Sequence, residues 1–251
     1  MQLNNATILV VDDEPDWRSI MSEWFTREGS QVLLAENGAE ALKLVRANHV
    51  DVVVSDVRMP VMDGITLLKN IKAEDGYKPS VMFMSGFSDI EPGEAYDLGV
   101  EALMAKPVER KHLIAAVTRV LAARDDLWRL AFSDKPAALL GAVFGSLAAA
   151  LSQGDLAFGR GGFRIHSPRN LREGPVELLL DFKDDHRKVT GQGIIRWIAP
   201  AEAQIGVEIT HIDDRHRAWI VSLTAANGSL SFIPRTPSFA AGQVMKALKQ
   251  T

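Results

Sequence analysis

The sequence predicts two domains: an α/β domain with a doubly wound parallel sheet, then a small antiparallel β-barrel, with a helical connector between them. At 251 residues the chain is long for one compact domain. Five short apolar segments alternate with helical stretches up to residue 123, whereas short strands separated by turn residues follow Gln153. Charge is also divided, because residues 1–124 hold 13 Lys and Arg against 19 Asp and Glu, while the remainder holds 15 against 13. We therefore expect three parts, at 1–123, 124–153 and 154–251.

Five predicted strands form the sheet of the first domain. They occupy residues 7–11, 31–35, 51–55, 80–85 and 101–105. Each is apolar along nearly its whole length, which is typical of parallel strands that helices cover on both faces. Signals at the helix ends agree, since Pro15 stands in the first turn of the first helix, Gly29 follows its last turn, and Asp63 precedes the third helix. Five βα units would end near Arg124.

Polar side chains stand at the ends of four of these strands, at the edge where an open parallel sheet binds its ligands. They are Asp12 and Asp13 after the first strand, Asp56 after the third, Ser85 at the end of the fourth and Lys106 after the fifth. Taken singly, an Asp pair would be interpreted as a helix cap and a Lys as a surface charge. Together, three carboxylates need a hard cation such as Mg²⁺, and one of them can accept a phosphoryl group beside the ammonium.

Several motifs in this order resemble the receiver domain of two-component response regulators. They are VVDDE at 10–14, SDVRMPVMDG at 55–64, MSG at 84–86, and the A-x-x-x-G-V-x-x-x-x-x-KP pattern that ends at Lys106-Pro107. The resemblance spans residues 5–123 and implies a flavodoxin-like (βα)₅ fold. It also implies a phosphorelay in which a histidine kinase or a phosphotransfer protein supplies the phosphoryl group.

The resemblance implies a role for each polar residue. Asp56 is the phosphoacceptor, Lys106 contacts the phosphoryl group, and Ser85 is the switch hydroxyl. The implied Mg²⁺ ligands are Asp12, Asp13, Asp56 and the backbone carbonyl of Arg58. Leu103 departs from the family, which commonly has an aromatic residue three positions before the lysine. The Leu103 side chain either changes how phosphorylation is coupled to the output face of the receiver or simply fills core volume.

Residues 124–153 are predicted to form the helical connector. The segment begins as a continuation of the last receiver helix and becomes strongly apolar from Pro136 to Leu151. Gly141 and Gly145 have a small-x-x-x-small spacing, yet the apolar stretch is short for a membrane span and lacks flanking aromatic residues. We interpret it as a helix that is buried in its own domain or that pairs with a second copy in a homodimer.

Residues 154–251 are predicted to form a small barrel followed by C-terminal helices. Their strands resemble the PilZ domain, a six-stranded barrel that serves as a cyclic di-GMP receptor, over residues 154–225. The resembling segments are GRGGFRI at 159–165, L-x-x-G-x-x-x-x-L at 171–179, GQGIIRWI at 191–198 and IGVEIT at 205–210. The resemblance implies a PilZ-like output domain that follows the receiver.

Both ligand motifs of the PilZ family are altered. Its R-x-x-x-R stretch is represented by Arg124 and Arg129, which are five apart, and its D/N-x-S-x-x-G turn aligns with Ala157, Gly159 and Gly162. We therefore predict an output through protein contacts. The alternative is a cyclic di-GMP receptor that uses a nonstandard arginine site, although the same arginines are also what a solvated barrel face would carry. The candidates are Arg160, Arg164, Arg169 and Arg172.

Composition and motifs exclude several function classes. The absence of cysteine excludes disulfides and thiolate metal sites, and no dense Lys and Arg stripe indicates direct nucleic-acid binding. The second half has no enzyme motif, and its histidines at 166, 186, 211 and 216 form no convincing metal set. Without a signal sequence or a long apolar run, we expect a cytoplasmic protein. The predicted function is a response regulator, not an enzyme, that acts on an unidentified protein partner.

Overall fold

In the computed structural model the chain divides into two compact units, residues 1–124 and 125–251. The structure describes residues 3–86, 89–121, 128–129, 136, 138–167, 171–227 and 230–236, with the side chains of 221–229 left out. Within these residues, none of the helices combines the length and the hydropathy that a bilayer span requires.

The first unit is a five-stranded parallel sheet in the order β2-β1-β3-β4-β5, which is the flavodoxin-like order. Its strands are β1 Thr7–Val11, β2 Gln31–Ala35, β3 Val52–Asp56, β4 Ser80–Ser85 and β5 Ala102–Ala105. Its helices are α1 Pro15–Arg27, α2 Gly38–Ala47, α3 Gly64–Glu74, α4 Pro92–Asp97 and α5 Arg110–Val120. The predicted doubly wound α/β fold is confirmed.

Two hydrophobic cores cover the two faces of this sheet. Alternate residues of each central strand enter different cores, so Leu9 and Val53 pack with α2 and α3, whereas Ile8 and Val54 pack with α1 and α5. Every residue of β3 is buried. This burial on both faces is the reason that the central strands are continuously apolar.

Short polar side chains define where the helices begin. Asn37 accepts the backbone N–H groups of Ala39 and Glu40 at the start of α2, and Asp63 accepts the N–H of Thr66 at the start of α3. Pro15 is the first residue of α1. A backbone N–H at this position would have no partner within the helix, so the missing N–H of proline costs nothing there. These ends set the loops that follow β1, β2 and β3 at one edge of the sheet.

The second unit is a curled, six-stranded sheet in the order β6-β9-β10-β11-β8-β7, consistent with a small barrel. Its strands are β6 Ala138–Phe144, β7 Leu156–Phe158, β8 Gly162–His166, β9 Gly174–Phe182, β10 Arg187–Ala199 and β11 Gln204–Ile212. Its helices are α6 Leu147–Gln153 and α7 Asp214–Asn227. All pairs are antiparallel except β6 with β9, so the sheet is mixed rather than wholly antiparallel as predicted.

The prediction of one helix from Pro136 to Leu151 is wrong between Ala138 and Phe144. These residues form β6, and a helix begins only at Leu147, after Ser146 accepts the N–H of Ala149. An apolar run of this length fits a buried strand as well as a buried helix. Gly141 and Gly145 disfavour a helix, and β9 offers a backbone ladder, so the strand is formed.

Two other predicted segments lie partly outside the described residues. The helix predicted near 214–225 is α7, whereas the final helix lies outside the described residues. The continuation of α5 into residues 122–127 also lies outside them.

Candidate functional site

The carboxyl ends of β1, β3 and β5 bring three of the predicted residues into direct contact. Asp12 follows β1, Asp56 ends β3 and Lys106 follows β5. The Lys106 Nζ atom lies 2.7 Å from Asp56 Oδ2 and 3.0 Å from Asp12 Oδ2. One ammonium therefore bridges two carboxylates that come from strands far apart in the sequence.

Asp13 adds a third carboxylate to this pair. One carboxylate oxygen from each of Asp12, Asp13 and Asp56 lies within 4.8 Å of the others. Asp12 and Asp56 are buried, whereas Asp13 is exposed, so the cluster opens to solvent on one side. Over the described ranges it is the one group of three or more His, Cys, Asp or Glu residues close enough to share a metal ion. The all-oxygen donor set, with three negative charges against one Lys, fits Mg²⁺.

Burial and neighbouring charge set the protonation states in this cluster. Burial raises the pKa of Asp56, the hydrogen bond and charge of Lys106 oppose that rise, and the charge of Asp12 adds to it, leaving the pKa above its ordinary value. Burial alone would lower the pKa of Lys106, but its hydrogen bonds to Asp56 and Asp12 outweigh burial and raise it. Lys106 therefore remains an ammonium beside Asp56, whose carboxylate is costly without a further cation.

Backbone contacts hold Asp56 in place at the end of β3. The N–H of Val57 donates to Asp56 Oδ1 at 2.6 Å, and the Ser55 hydroxyl donates to the Asp56 carbonyl oxygen at 2.7 Å. A Cβ atom at residue 64 would overlap that same carbonyl oxygen, so only glycine fits where α3 begins. Gly64, in the D-G pair at 63–64, thus lets the start of α3 lie close to the backbone of Asp56.

Arg18 holds the first strand end and was missed by the sequence analysis. Its Nη1 atom donates to the Asp12 carbonyl oxygen at 2.5 Å, while Asp12 Oδ1 accepts the N–H of Glu14 at 2.9 Å. An Arg one turn into the helix that follows an Asp pair is the only sequence sign of this contact. It positions Asp12 without joining the carboxylate cluster.

Ser85 ends β4 and is buried next to this edge. Its hydroxyl donates to the Gly86 carbonyl oxygen at 2.8 Å, and the N–H of Lys106 donates to the Ser85 carbonyl oxygen at 2.8 Å. The backbones that carry the hydroxyl and the ammonium are therefore tied to each other. In this structure the hydroxyl is directed to its own loop.

Asp89, a second residue that the sequence analysis missed, links that loop to Arg58. Asp89 Oδ2 accepts the N–H of Gly86 at 2.5 Å, and its Oδ1 lies 2.6 Å from Arg58 Nε. This carboxylate reaches back three residues, but α4 begins only at Pro92, so no helix-cap signal marks Asp89 in the sequence. The role of the Arg58 backbone carbonyl as a Mg²⁺ ligand stays a prediction.

Leu103 lies in the middle of β5 and is partly buried against the core that includes Val53, Phe83 and α3. The position that is commonly aromatic in the family contributes here to core packing. The contact agrees with the simpler of the two interpretations of Leu103.

Comparisons with known proteins match both units. The model of the response regulator receiver domain matches residues 8–118, and the model of the PilZ domain matches residues 157–226. Sporulation initiation phosphotransferase F of Bacillus subtilis is 35% identical over 118 residues, which cover 47% of this chain and 94% of that protein.

The chain belongs to the response regulator family.

The chain spans less than a third of the length of some other curated relatives. Transcriptional regulatory protein GlrR of Escherichia coli is 32% identical over 139 residues, which cover 54% of this chain and 31% of that protein. The receiver domain of the Francisella response regulator 1452 aligns at 30% identity, covering 47% of this chain and 97% of that chain, with a TM-score of 0.44. A receiver domain is the phosphorelay input of a two-component system. Receiver and PilZ domains generally signal without catalysis.

Two of the arginines predicted for a nonstandard anion site in this response regulator donate to different backbone carbonyl oxygens. Arg160 Nε donates to the Leu230 carbonyl oxygen at 3.0 Å, and Arg164 Nη2 donates to the Gly154 carbonyl oxygen at 2.8 Å. Burial lowers the pKa of Arg164, which lies in the interior of the unit. Arg172 is exposed before β9, and Arg129 lies 3.8 Å from Asp214. Arg124 and Arg169 lie outside the described residues.

The turn that aligns with the family's ligand motif is covered by a later part of the chain. The N–H groups of Arg160 and Gly161 donate to the carbonyl oxygens of Ser231 and Phe232, both at 2.9 Å. Phe232 is itself buried. The segment 230–233 therefore lies on the turn at 159–162.

Proposed function

We propose that this response regulator accepts a phosphoryl group on Asp56 from a histidine kinase or a phosphotransfer protein. The contact of Lys106 Nζ with both Asp56 Oδ2 and Asp12 Oδ2 is the observation that carries the proposal. In the proposal, this ammonium stands beside the carboxylate that accepts the phosphoryl group. Aspartate is an effective nucleophile when its charge is held and its surroundings are arranged in advance.

In the proposed step, an Asp56 carboxylate oxygen attacks the phosphorus of a phosphohistidine. The new O–P bond forms as the P–N bond breaks, and the electron pair of that bond returns to the imidazole nitrogen, which takes up a proton. Lys106 stabilises the negative charge on the transferring oxygens. Because the pKa of Lys106 is raised by its two carboxylate partners, the ammonium keeps its charge through the step.

Asp12, Asp13 and Asp56 would hold Mg²⁺, together with the backbone carbonyl of Arg58. When bound, the cation neutralises the carboxylates and the phosphoryl oxygens. Asp12 is oriented for this by the bonds from Glu14 and Arg18 to its two ends. Asp13 is exposed and forms the entry side of the cluster.

Phosphorylation of Asp56 would change the hydrogen-bond acceptor of the Ser85 hydroxyl. This hydroxyl donates to Gly86 here, and a phosphoryl oxygen on Asp56 would offer it a stronger, charged acceptor. Exchange of one acceptor for the other moves the loop that begins at Gly86 and biases the receiver between two conformers. Asp89 and Arg58 belong to the same loop contact and would move with it.

We further propose that the PilZ domain signals by contacting a protein. The turn at 159–162 lacks the Asp and Ser of the family motif and lies under the segment 230–233. Arg160 and Arg164 are engaged by backbone carbonyl oxygens. These contacts favour a protein partner over a nucleotide.

Phosphorylation by a small phosphodonor tests the acceptor assignment. We expect stoichiometric, Mg²⁺-dependent labelling of the wild type and none of Asp56→Asn, measured by intact mass. Asp63→Asn is the matched control, because Asp63 is a helix cap three residues before Thr66 and Asn caps equally well. Full labelling of Asp56→Asn, or loss of labelling in Asp63→Asn alone, would refute the assignment.

A further inference from the structure

The strand β6 forms one edge of the sheet that the structure describes in the second unit. In the part of the chain that the structure describes, β6 pairs only with β9. The opposite edge strand, β7, has three residues and all are buried, whereas β6 has seven. Long, open and apolar edge strands are the ones that pair with another chain.

Alternate residues of β6 face different neighbours. Lys183 N donates to the Phe144 carbonyl oxygen, so the even-numbered residues direct their backbone groups to β9. The N–H and C=O groups of Leu139, Gly141 and Val143 consequently point to the open edge. Each of these residues thus offers one donor and one acceptor to an approaching strand.

The side chains on the same residues are apolar and exposed. Leu139 is 50% exposed and Val143 is 67% exposed, while Leu140 on the opposite face is buried in the core. Gly141 lies between them, and a Cβ atom added there would meet nothing within 4 Å. The open edge therefore carries two hydrophobic side chains on either side of a gap.

This arrangement is complementary to itself. When two identical edge strands are related by a two-fold axis, they run antiparallel, and an axis at Gly141 pairs residue 141 with its own copy. Leu139 then lies opposite Val143 of the other copy, and Val143 opposite Leu139. All three pairs are hydrogen-bonded pairs, because each residue directs its N–H and C=O to the partner. The hydrophobic side chains meet across the junction at the same time.

We propose that β6 pairs with β6 of a second copy of the chain, in antiparallel register about Gly141, and that this forms a homodimer. The partner is a second copy because one register satisfies every open backbone group and both exposed side chains without any other sequence. The pairing joins the two six-stranded sheets into one continuous sheet.

Charge substitutions at residues 139 and 143 test the surface and its register. The Leu139→Lys/Val143→Lys variant places like charges opposite each other in both outer pairs, so we expect it to be monomeric. The Leu139→Lys/Val143→Glu variant carries two charges as well, but each Lys faces a Glu of the other copy. We expect it to recover the dimer. Mass is measured for the full-length chain by sedimentation velocity over a concentration series.

Leu34→Lys is the matched control, because Leu34 is an exposed apolar residue on β2, the edge strand of the other sheet. It should leave the dimer intact. Far-UV circular dichroism and thermal unfolding show whether the variants are folded. We expect them to fold, because Leu139 and Val143 are both exposed. A monomeric wild type, a dimeric Lys/Lys variant, a Lys/Glu variant that stays monomeric or a monomeric Leu34→Lys variant would each overturn the proposal.

Discussion

The ring of Phe232 occupies the space that a side chain on residue 161 would need. A Cβ atom built on Gly161 would overlap three carbons of that ring, and the N–H of Gly161 donates to the Phe232 carbonyl oxygen at 2.9 Å. A Cβ atom on Gly159 would also lie 2.5 Å from that oxygen. The turn at 159–162 and the segment 230–233 are therefore packed as one element of the PilZ domain.

Gly161→Ala should weaken this contact. We expect a loss of about 1–3 kcal/mol in the free energy of unfolding, because the added methyl group forces the ring to move. In a Phe232→Ala background the same change should cost much less, since the ring is gone. Urea unfolding of the four proteins in a double-mutant cycle measures the coupling. Strictly additive effects in this cycle would contradict the contact.

Cyclic di-GMP should not bind to the wild type. The turn lacks the Asp and Ser that the family uses and is covered by segment 230–233, so we expect no saturable heat in a calorimetric titration. The titration is made with and without Mg²⁺ and beryllofluoride, which stands in for the phosphoryl group. Saturable binding in either state would contradict a purely protein-directed output. It would indicate a regulator that integrates both signals.

Asp56→Asn should be at least as stable as the wild type at neutral pH in the absence of divalent cations. The pKa of Asp56 is raised by burial and by Asp12, despite Lys106, so its ionised form destabilises the folded state. Urea unfolding measures the difference. Mg²⁺ should stabilise the wild type more than the variant, by about 2.7 kcal/mol when the cation is at about 100 times its Kd. Equal stabilisation of the two proteins would argue against Asp56 as a ligand.

Asp213 should make the stability of the second unit depend on acidic pH. Asp213 accepts the N–H of His216 at 3.2 Å and lies 2.7 Å from His216 Nδ1, at the start of α7. Burial alone would raise the pKa of Asp213, but its bonds to His216 lower it below the ordinary value. The stabilisation is therefore present above the unfolded pKa, about 3.9, and is lost as pH falls through the lower folded pKa.

Asp213→Ala should cost about 1 kcal/mol in the free energy of unfolding at neutral pH. The difference between the wild type and this variant should shrink once the pH falls below about 4, where the Asp213 carboxylate of the wild type takes up a proton. Urea unfolding at a series of pH values measures it. A difference that stays constant throughout the acid range would show that the carboxylate charge contributes nothing.

The receiver site was predictable because each of its residues is marked by the short segment of sequence around it. Each acidic or hydroxyl residue stands at the end of an apolar run, and parallel strands bring their carboxyl ends to one edge whatever the loops between them. Asp12, Asp56 and Lys106 could thus be grouped before any contact was known. Their separation in the sequence did not matter, since the strand order places β1, β3 and β5 on one sheet.

Other contacts join residues from distant segments, and no pattern in either segment indicates the partner. The buried ammonium of Lys72 lies 3.0 Å from Glu101 Oε1, and Glu101 Oε2 accepts the N–H of Val81 at 2.7 Å. In the sequence, Lys72 is an ordinary charge near the end of a helix and Glu101 an ordinary charge at the start of a predicted strand. Only the packing of α3 beside β4 and β5 buries both and makes them partners.

The sequence by itself determined the α/β fold of the receiver, the strand-rich second unit and the cluster around Asp56, because hydrophobic period and strand-end chemistry are properties of short segments. Tertiary structure alone decided that residues 138–144 form a strand. That run is apolar on every face, and although Gly141 weakens a helix, the run's own residues do not specify a strand. The choice was made by β9, which supplies the hydrogen-bonding edge that a strand needs and a helix does not.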